Sequence, residues 1–169
     1  MTATTATTEK PSGKVEPVLK TRFISHGTLA CKDIDRTRQF YEEFLGLDVV
    51  RTSPISLMVR LGGHHVYACV QIKGEKDVMP RHYHNGLDVR TKAEVDDAYR
   101  LVTEQAEKWG ISRITRPVAQ HGTYSFMFWD LDTNCWEILS NPENGYTWIF
   151  EQGDQEGRGH LDRNFPRPG

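Results

Sequence analysis

FMFWDLDTNCWEIL, residues 126–139, is two apolar runs around a polar turn. Residues 126–129 are aromatic and apolar, residues 130–134 are turn formers, and residues 135–139 are apolar again. This pattern predicts two antiparallel strands joined by a tight connection. Glu137 interrupts it, a carboxylate between Trp136 and Ile138. Either the strand alternates and Glu137 faces water, or the carboxylate is buried and needs a cation, a set of donors or a metal. The rest of the chain favours the second.

Upstream, residues 23–31 (FISHGTLAC) predict a strand with His26 in its middle. Asp33 caps a helix with Ile34, Phe40, Tyr41, Phe44 and Leu45 at helical spacing, and Gly46 closes it. Residues 47–51, 55–61 and 64–72 predict three strands, the last two joined by a Gly62-Gly63 hairpin turn. After a charged loop the order repeats. Residues 83–89 (YHNGLDV) form a strand carrying His84, and Thr91 with Glu94 is a capping box. Val95, Ala98, Tyr99, Val102, Ala106 and Trp109 give the buried face of that second helix, and Gly110 ends it. Residues 111–115 then read as a strand and 117–122 as a loop, before the opening pair.

A displacement of 58 positions lays His26 on His84, Leu29 on Leu87 and Tyr41 on Tyr99. Two copies of one βαβββ unit are implied, neither able to bury its sheet face alone. The expected fold is α+β: two such modules forming a cupped, barrel-like mixed sheet around a metal cavity. The expected divisions are a flexible tail 1–20, a domain 21–141 (module one 21–73, module two 82–141) and an extension 142–169.

Composition excludes several classes of partner. Net charge is −2 with both signs interspersed, so there is no basic footprint for nucleic acid or a membrane surface. No apolar run approaches the ~20 residues of a membrane span. The first residues lack the apolar core of a secretory signal, and the cytoplasm is the expected compartment. Cys31, Cys69 and Cys135 are an odd number without CxxC spacing, which predicts small buried thiols.

His26, His84 and Glu137, from separate strands facing one cavity, make a facial triad that leaves about three positions open on an octahedral ion. His82 shares the strand parity of His84 but breaks the correspondence with His26.

The paired modules, SHGTLA around His26, FYEEFLGL after it, YHNGLDV around His84 and the DLDTNCWEIL ending together resemble the vicinal oxygen chelate superfamily over about residues 21–140. That group includes glyoxalase I, bleomycin- and fosfomycin-resistance proteins, methylmalonyl-CoA epimerase and type I extradiol dioxygenases. The isomerases carry a fourth ligand on the last strand of module one. Here HHVYACVQI has no acid, and Gln71 is the nearest stand-in.

MVRLGGHHVYA resembles the extradiol segment in which a histidine acts as acid–base catalyst, which makes His65 the counterpart. His121 resembles a second active-site histidine. The dioxygenases' tyrosine ten residues before the glutamate is Met127 here, and Tyr124 is the nearest phenol.

The resemblance therefore implies an Fe(II)-dependent extradiol ring-cleaving dioxygenase, with Mn(II), Zn(II), Ni(II) or Co(II) as alternatives. Its partners would be a small aromatic substrate, O2 and further copies of itself. A metal-dependent isomerase or lyase, a fosfomycin-resistance-like transferase and a metal-free binding protein are the other readings. Residues 145–150 (GYTWIF) form a hydrophobic cluster that calls for cover, closing the cavity mouth or packing on a second subunit.

Overall fold

Asp33 opens the first helix because its carboxylate accepts the Asp35 and Arg36 backbone N–H groups at 3.1 Å, satisfying two donors that a helix start leaves free. Around it a computed structural model describes residues 17–19, 21–120 and 122–155. Module one runs β1 (His26–Cys31), α1 (Ile34–Gln39), a wider turn Phe40–Phe44, β2 (Asp48–Ser53), β3 (Ser56–Arg60) and β4 (Val66–Gln71). Module two follows a short turn Arg81–Tyr83: β5 (Asn85–Val89), α2 (Lys92–Trp109), β6 (Val118–Gln120), β7 (Thr123–Trp129) and β8 (Cys135–Ser140). A helix α3 (Thr147–Gln152) comes last.

Each module is one four-stranded sheet, ordered β1-β4-β3-β2 and β5-β8-β7-β6. In both, the first and last strands pair in parallel and the other pairs are antiparallel. The repeat read from the sequence is thus a repeat of topology. The sheets are cupped and do not close into a barrel.

Thr91 and Glu94 form the expected capping box, and Gly110 at φ 71° supplies the left-handed residue that stops α2. Residues 111–115 are not a strand. They make a single bridge, Ser112 to Trp129, because Arg113 turns to φ 51° and breaks the pleat. The outer strand is instead β6, inside the stretch read as a loop. It follows Pro117, which has no N–H to give and is tolerated at a sheet edge.

Two side-chain clusters join the modules. The helix-bearing faces of the sheets meet around Trp136, whose ring is 5.7 Å from Tyr41 and 6.4 Å from Tyr67 in edge-to-face geometry. Phe40 packs on Trp109 at 5.8 Å beside it. Asp132 then ties the β7–β8 turn to module one, accepting the Lys32 N–H at 2.7 Å and the Thr37 hydroxyl at 2.5 Å.

The turn itself is organised by Asp130. Its carboxylate accepts from the Asp132 and Asn134 backbone, the Asn134 amide and the Trp136 indole at 2.8–3.2 Å. Burial pushes its pKa up to about 6 against those four donors. All three cysteines are buried and free. Among the described residues no helix is long and apolar enough to cross a membrane.

Candidate metal centre

Strand parity places the candidate ligands. Leu29, Cys31, Tyr67 and Cys69 face the helix side of the first sheet, so His26, Thr28 and Ala68 stand on its other face. In the second sheet Phe126, Phe128, Trp136 and Ile138 face the helices, so Glu137 stands opposite them with Leu139 and Cys135. The alternation therefore does not give Glu137 to water. Every residue of β8 is buried, and Glu137 is 6% exposed.

His84 reaches the same face from just before β5, where residues 81–83 turn the chain. Its Nε2 lies 3.1 Å from Glu137 Oε2. Its Nδ1 donates to the Arg81 carbonyl at 2.5 Å, which fixes the ring and leaves Nε2 as the atom offered to a partner. The hydrogen bond to Glu137 raises the His84 pKa; burial opposes it and the Arg81 carbonyl adds to it.

A raised histidine pKa gives a pH dependence of definite sign. In the metal-free protein the pair's stabilisation is complete below the ordinary histidine pKa and is lost as pH rises through the raised value. Denaturation midpoints of metal-free wild type and Glu137→Gln are thus expected to differ most at acidic pH and to converge toward pH 8; a gap that widens with pH would contradict the pair.

His26 is not brought to this pair within one chain. It opens β1, exposed, with Nδ1 2.8 Å from the Ser25 hydroxyl, on the sheet face turned away from the module contact. Among the described residues no group of three or more metal-ligating side chains gathers. The helix-bearing faces of the two sheets take the contact between the modules, which puts the candidate-ligand faces on their opposite sides.

The remaining predicted residues are placed as follows. His65 precedes β4 and donates through Nδ1 to the Ile24 carbonyl at 3.3 Å, its ring edge-on to Tyr67 at 5.1 Å. With Tyr67, Leu87 and Trp136 it lines a cavity of about 320 Å³ on the helix side, so it does not share a face with His26. Tyr124 is likewise on the helix side, donating to Asp96 of α2 at 2.8 Å, and it does not face Glu137. His82 is exposed in the turn before His84, and His121 lies outside the described residues. Gln71 is no stand-in ligand: its amide donates to the Lys32 carbonyl at 2.9 Å, at the far end of β4.

The position of module one that corresponds to Glu137 is Ala68. Thr28 pairs with Ala68 as Gly86 pairs with Glu137, each two residues beyond a histidine. Tyr146, in the hydrophobic cluster of residues 145–150, stands by Asn141 and Thr123 at the end of β7 and β8 away from the Met127–Glu137 pair. Burial raises its pKa, as does the charge of Glu137, while the adjacent Asn141 and Thr123 side chains act the other way.

The donor set suits a divalent cation: an oriented imidazole nitrogen beside a buried carboxylate, with a second imidazole at the matching repeat position.

The model of the Glyoxalase/Bleomycin resistance protein/Dioxygenase superfamily matches residues 23–138. No curated protein matches in sequence. A possible glyoxalase from Bacillus cereus is 20% identical over 70% of this chain and 99% of its own, with a TM-score of 0.57. A glyoxalase/bleomycin resistance protein/dioxygenase from Nocardioides is 16% identical over 82% and 90%, with a TM-score of 0.57. Lactoylglutathione lyase from Agrobacterium tumefaciens is 21% identical over 72% and 96%, with a TM-score of 0.51. At such identities the likeness is one of fold.

Proposed function

The chain belongs to the glyoxalase/bleomycin resistance protein/dioxygenase superfamily, and from that premise we propose that it is a metal-dependent enzyme, an extradiol dioxygenase that opens catechol-type rings with O2. The observation that carries the reading is the His84–Glu137 pair, buried and 3.1 Å apart, with Ala68 where a fourth, carboxylate ligand would stand. Three protein ligands leave room for both oxygens of a catechol and for O2. Without an acid at position 68, the ligand set carries no base poised to move a proton between carbons, which disfavours an isomerase.

The third ligand, His26, comes from a second copy of the chain. Its sheet face is open: Thr28 is exposed, Met58, Val66 and Ala68 are half-buried, and Val50 is 59% exposed. An apolar sheet face of this kind calls for cover, and a twofold pair of copies would set His26 of each against His84 and Glu137 of the other.

Bound there, Fe(II) would supply Lewis acidity toward the catechol oxygens and electrons toward O2. Glu137 and His84 would hold it, the carboxylate balancing part of its charge inside a buried face. The Arg81 carbonyl keeps the His84 proton on Nδ1, so Nε2 stays free to ligate. His65, on the helix side, is not assigned the acid–base role.

The test is anaerobic loading with Fe(II) followed by oxygen-electrode assays on a panel of catechols. O2 uptake with a yellow ring-opened product is expected. An iron-loaded protein that consumes no O2 with any catechol, yet rearranges thiol adducts when loaded with Ni(II) or Zn(II), would replace the dioxygenase by an isomerase.

A further inference from the structure

Between the modules, beside Trp136, lies the cavity of about 320 Å³ that His65 lines. Its size is at the small end of the roughly 300–1,000 Å³ of ligand pockets, enough for one ring. Both modules build it: His65, Tyr67 and the Gly62-Gly63 turn from one, Leu87 and Trp136 from the other. It is separate from the candidate metal centre, because Trp136 and Glu137 are neighbours on β8 and point to opposite faces of the sheet.

The walls are aromatic. The Tyr67 ring lies across Gly27 of β1, where a Cβ would stand 2.6 Å from its Cε1, so the absent side chain is what lets the ring settle against the strand. Trp136 and His65 meet that ring edge-on, with centroids at 6.4 and 5.1 Å.

Two polar atoms on these walls are left over. His65 Nδ1 donates to the Ile24 carbonyl at 3.3 Å, which leaves Nε2 as an acceptor. The Tyr67 hydroxyl makes no hydrogen bond to the described residues, and burial raises its pKa, so it remains a neutral donor. Charge is turned aside. Arg60 borders the cavity at the end of β3, but its Nε is held by Asp48 at 3.2 Å, and alternation puts both side chains on the Met58 face.

We propose that this cavity binds a small neutral hydroxyaromatic molecule, its ring against Tyr67 and Trp136 and its hydroxyl shared by His65 Nε2 and the Tyr67 phenol. A hydroxyl is donor and acceptor at once, and so matches an acceptor and a donor together. An anion meets no free cation there, and a plain hydrocarbon leaves both polar atoms covered and unpaired. The site stands whether or not a cation binds at Glu137.

The probe is 4-fluorophenol, titrated into the metal-free full chain and followed by fluorine and proton NMR. Saturable binding is expected, with nuclear Overhauser contacts from the ring to Tyr67 and Trp136. Fluorobenzene, which lacks the hydroxyl, and 4-fluorobenzoate, which is charged, are each expected to bind roughly tenfold more weakly. Tyr67→Phe and His65→Leu, the second at an exposed position, are each expected to weaken 4-fluorophenol about fivefold at an unchanged unfolding midpoint. Absence of saturable binding, contacts to Leu139 on the opposite face, or fluorobenzene binding as tightly as 4-fluorophenol would overturn the proposal, as would full affinity in both variants. Should either variant shift the midpoint, the wild-type contacts decide: Tyr67 and Trp136 support the site, and any other pair of residues overturns it.

Discussion

Glu137→Ala is expected to lower the affinity for a divalent cation by roughly a hundredfold or more, beyond the 10–100-fold typical of losing a supporting partner. Among the described residues Glu137 is the anionic group placed against His84 Nε2, at 3.1 Å on a buried face, so its loss removes both a ligand and the charge that balances the ion. Glu137→Gln keeps the volume and an oxygen but not the charge, and is expected to recover only a small part. The fold should survive, since the ligand face is outside the hydrophobic cluster that joins the sheets. Calorimetric titration with Co(II) or Mn(II) checks this. An affinity equal to the wild type's in a folded Glu137→Ala protein would mean the cation sits elsewhere.

Trp136→Ala is expected to cost about 3–5 kcal/mol of stability, the range for truncating a large core aromatic. Trp136 is 1% exposed and touches both Tyr41 and Tyr67 of module one. Its indole also donates to Asp130 at 2.9 Å, one of the four bonds that hold that buried carboxylate. Losing a hydrogen bond to a charged group adds to the cost of the cavity. Trp136→Phe would keep most of the packing and lose the donor, so it should fall between. Urea unfolding reads the difference. A loss below about 1 kcal/mol would contradict the packing of the modules through Trp136.

Much of this molecule is written in local pattern. The capping box at Thr91, the stop at Gly110 and the polar turn at residues 130–134 depend on neighbours in sequence, and the repeat follows from matching residues 58 apart. The pairing of His84 with Glu137 was legible because the repeat gave the strands and parity gave the face. What was not legible depends on distant partners. Parity cannot say which sheet faces meet, so the sequence suggested one cavity within one chain, while the structure buries the helix-bearing faces. The placing of His65 and Tyr124 has the same origin: each lies near a site strand in sequence but faces the helix side. The helix at Thr147–Gln152 was visible only as a hydrophobic cluster that calls for cover.

The shared centre is tested most directly by mixing two defective chains. His26→Ala and Glu137→Ala proteins, each expected to bind cation weakly alone, are combined, exchanged as subunits and titrated with Co(II). In a mixed twofold pair one site draws His26 from one chain and Glu137 from the other, so about one quarter of the wild-type site count should return at wild-type affinity. No recovery, with subunit exchange confirmed by mass, would contradict a centre built from His26 of one copy and the His84–Glu137 pair of another.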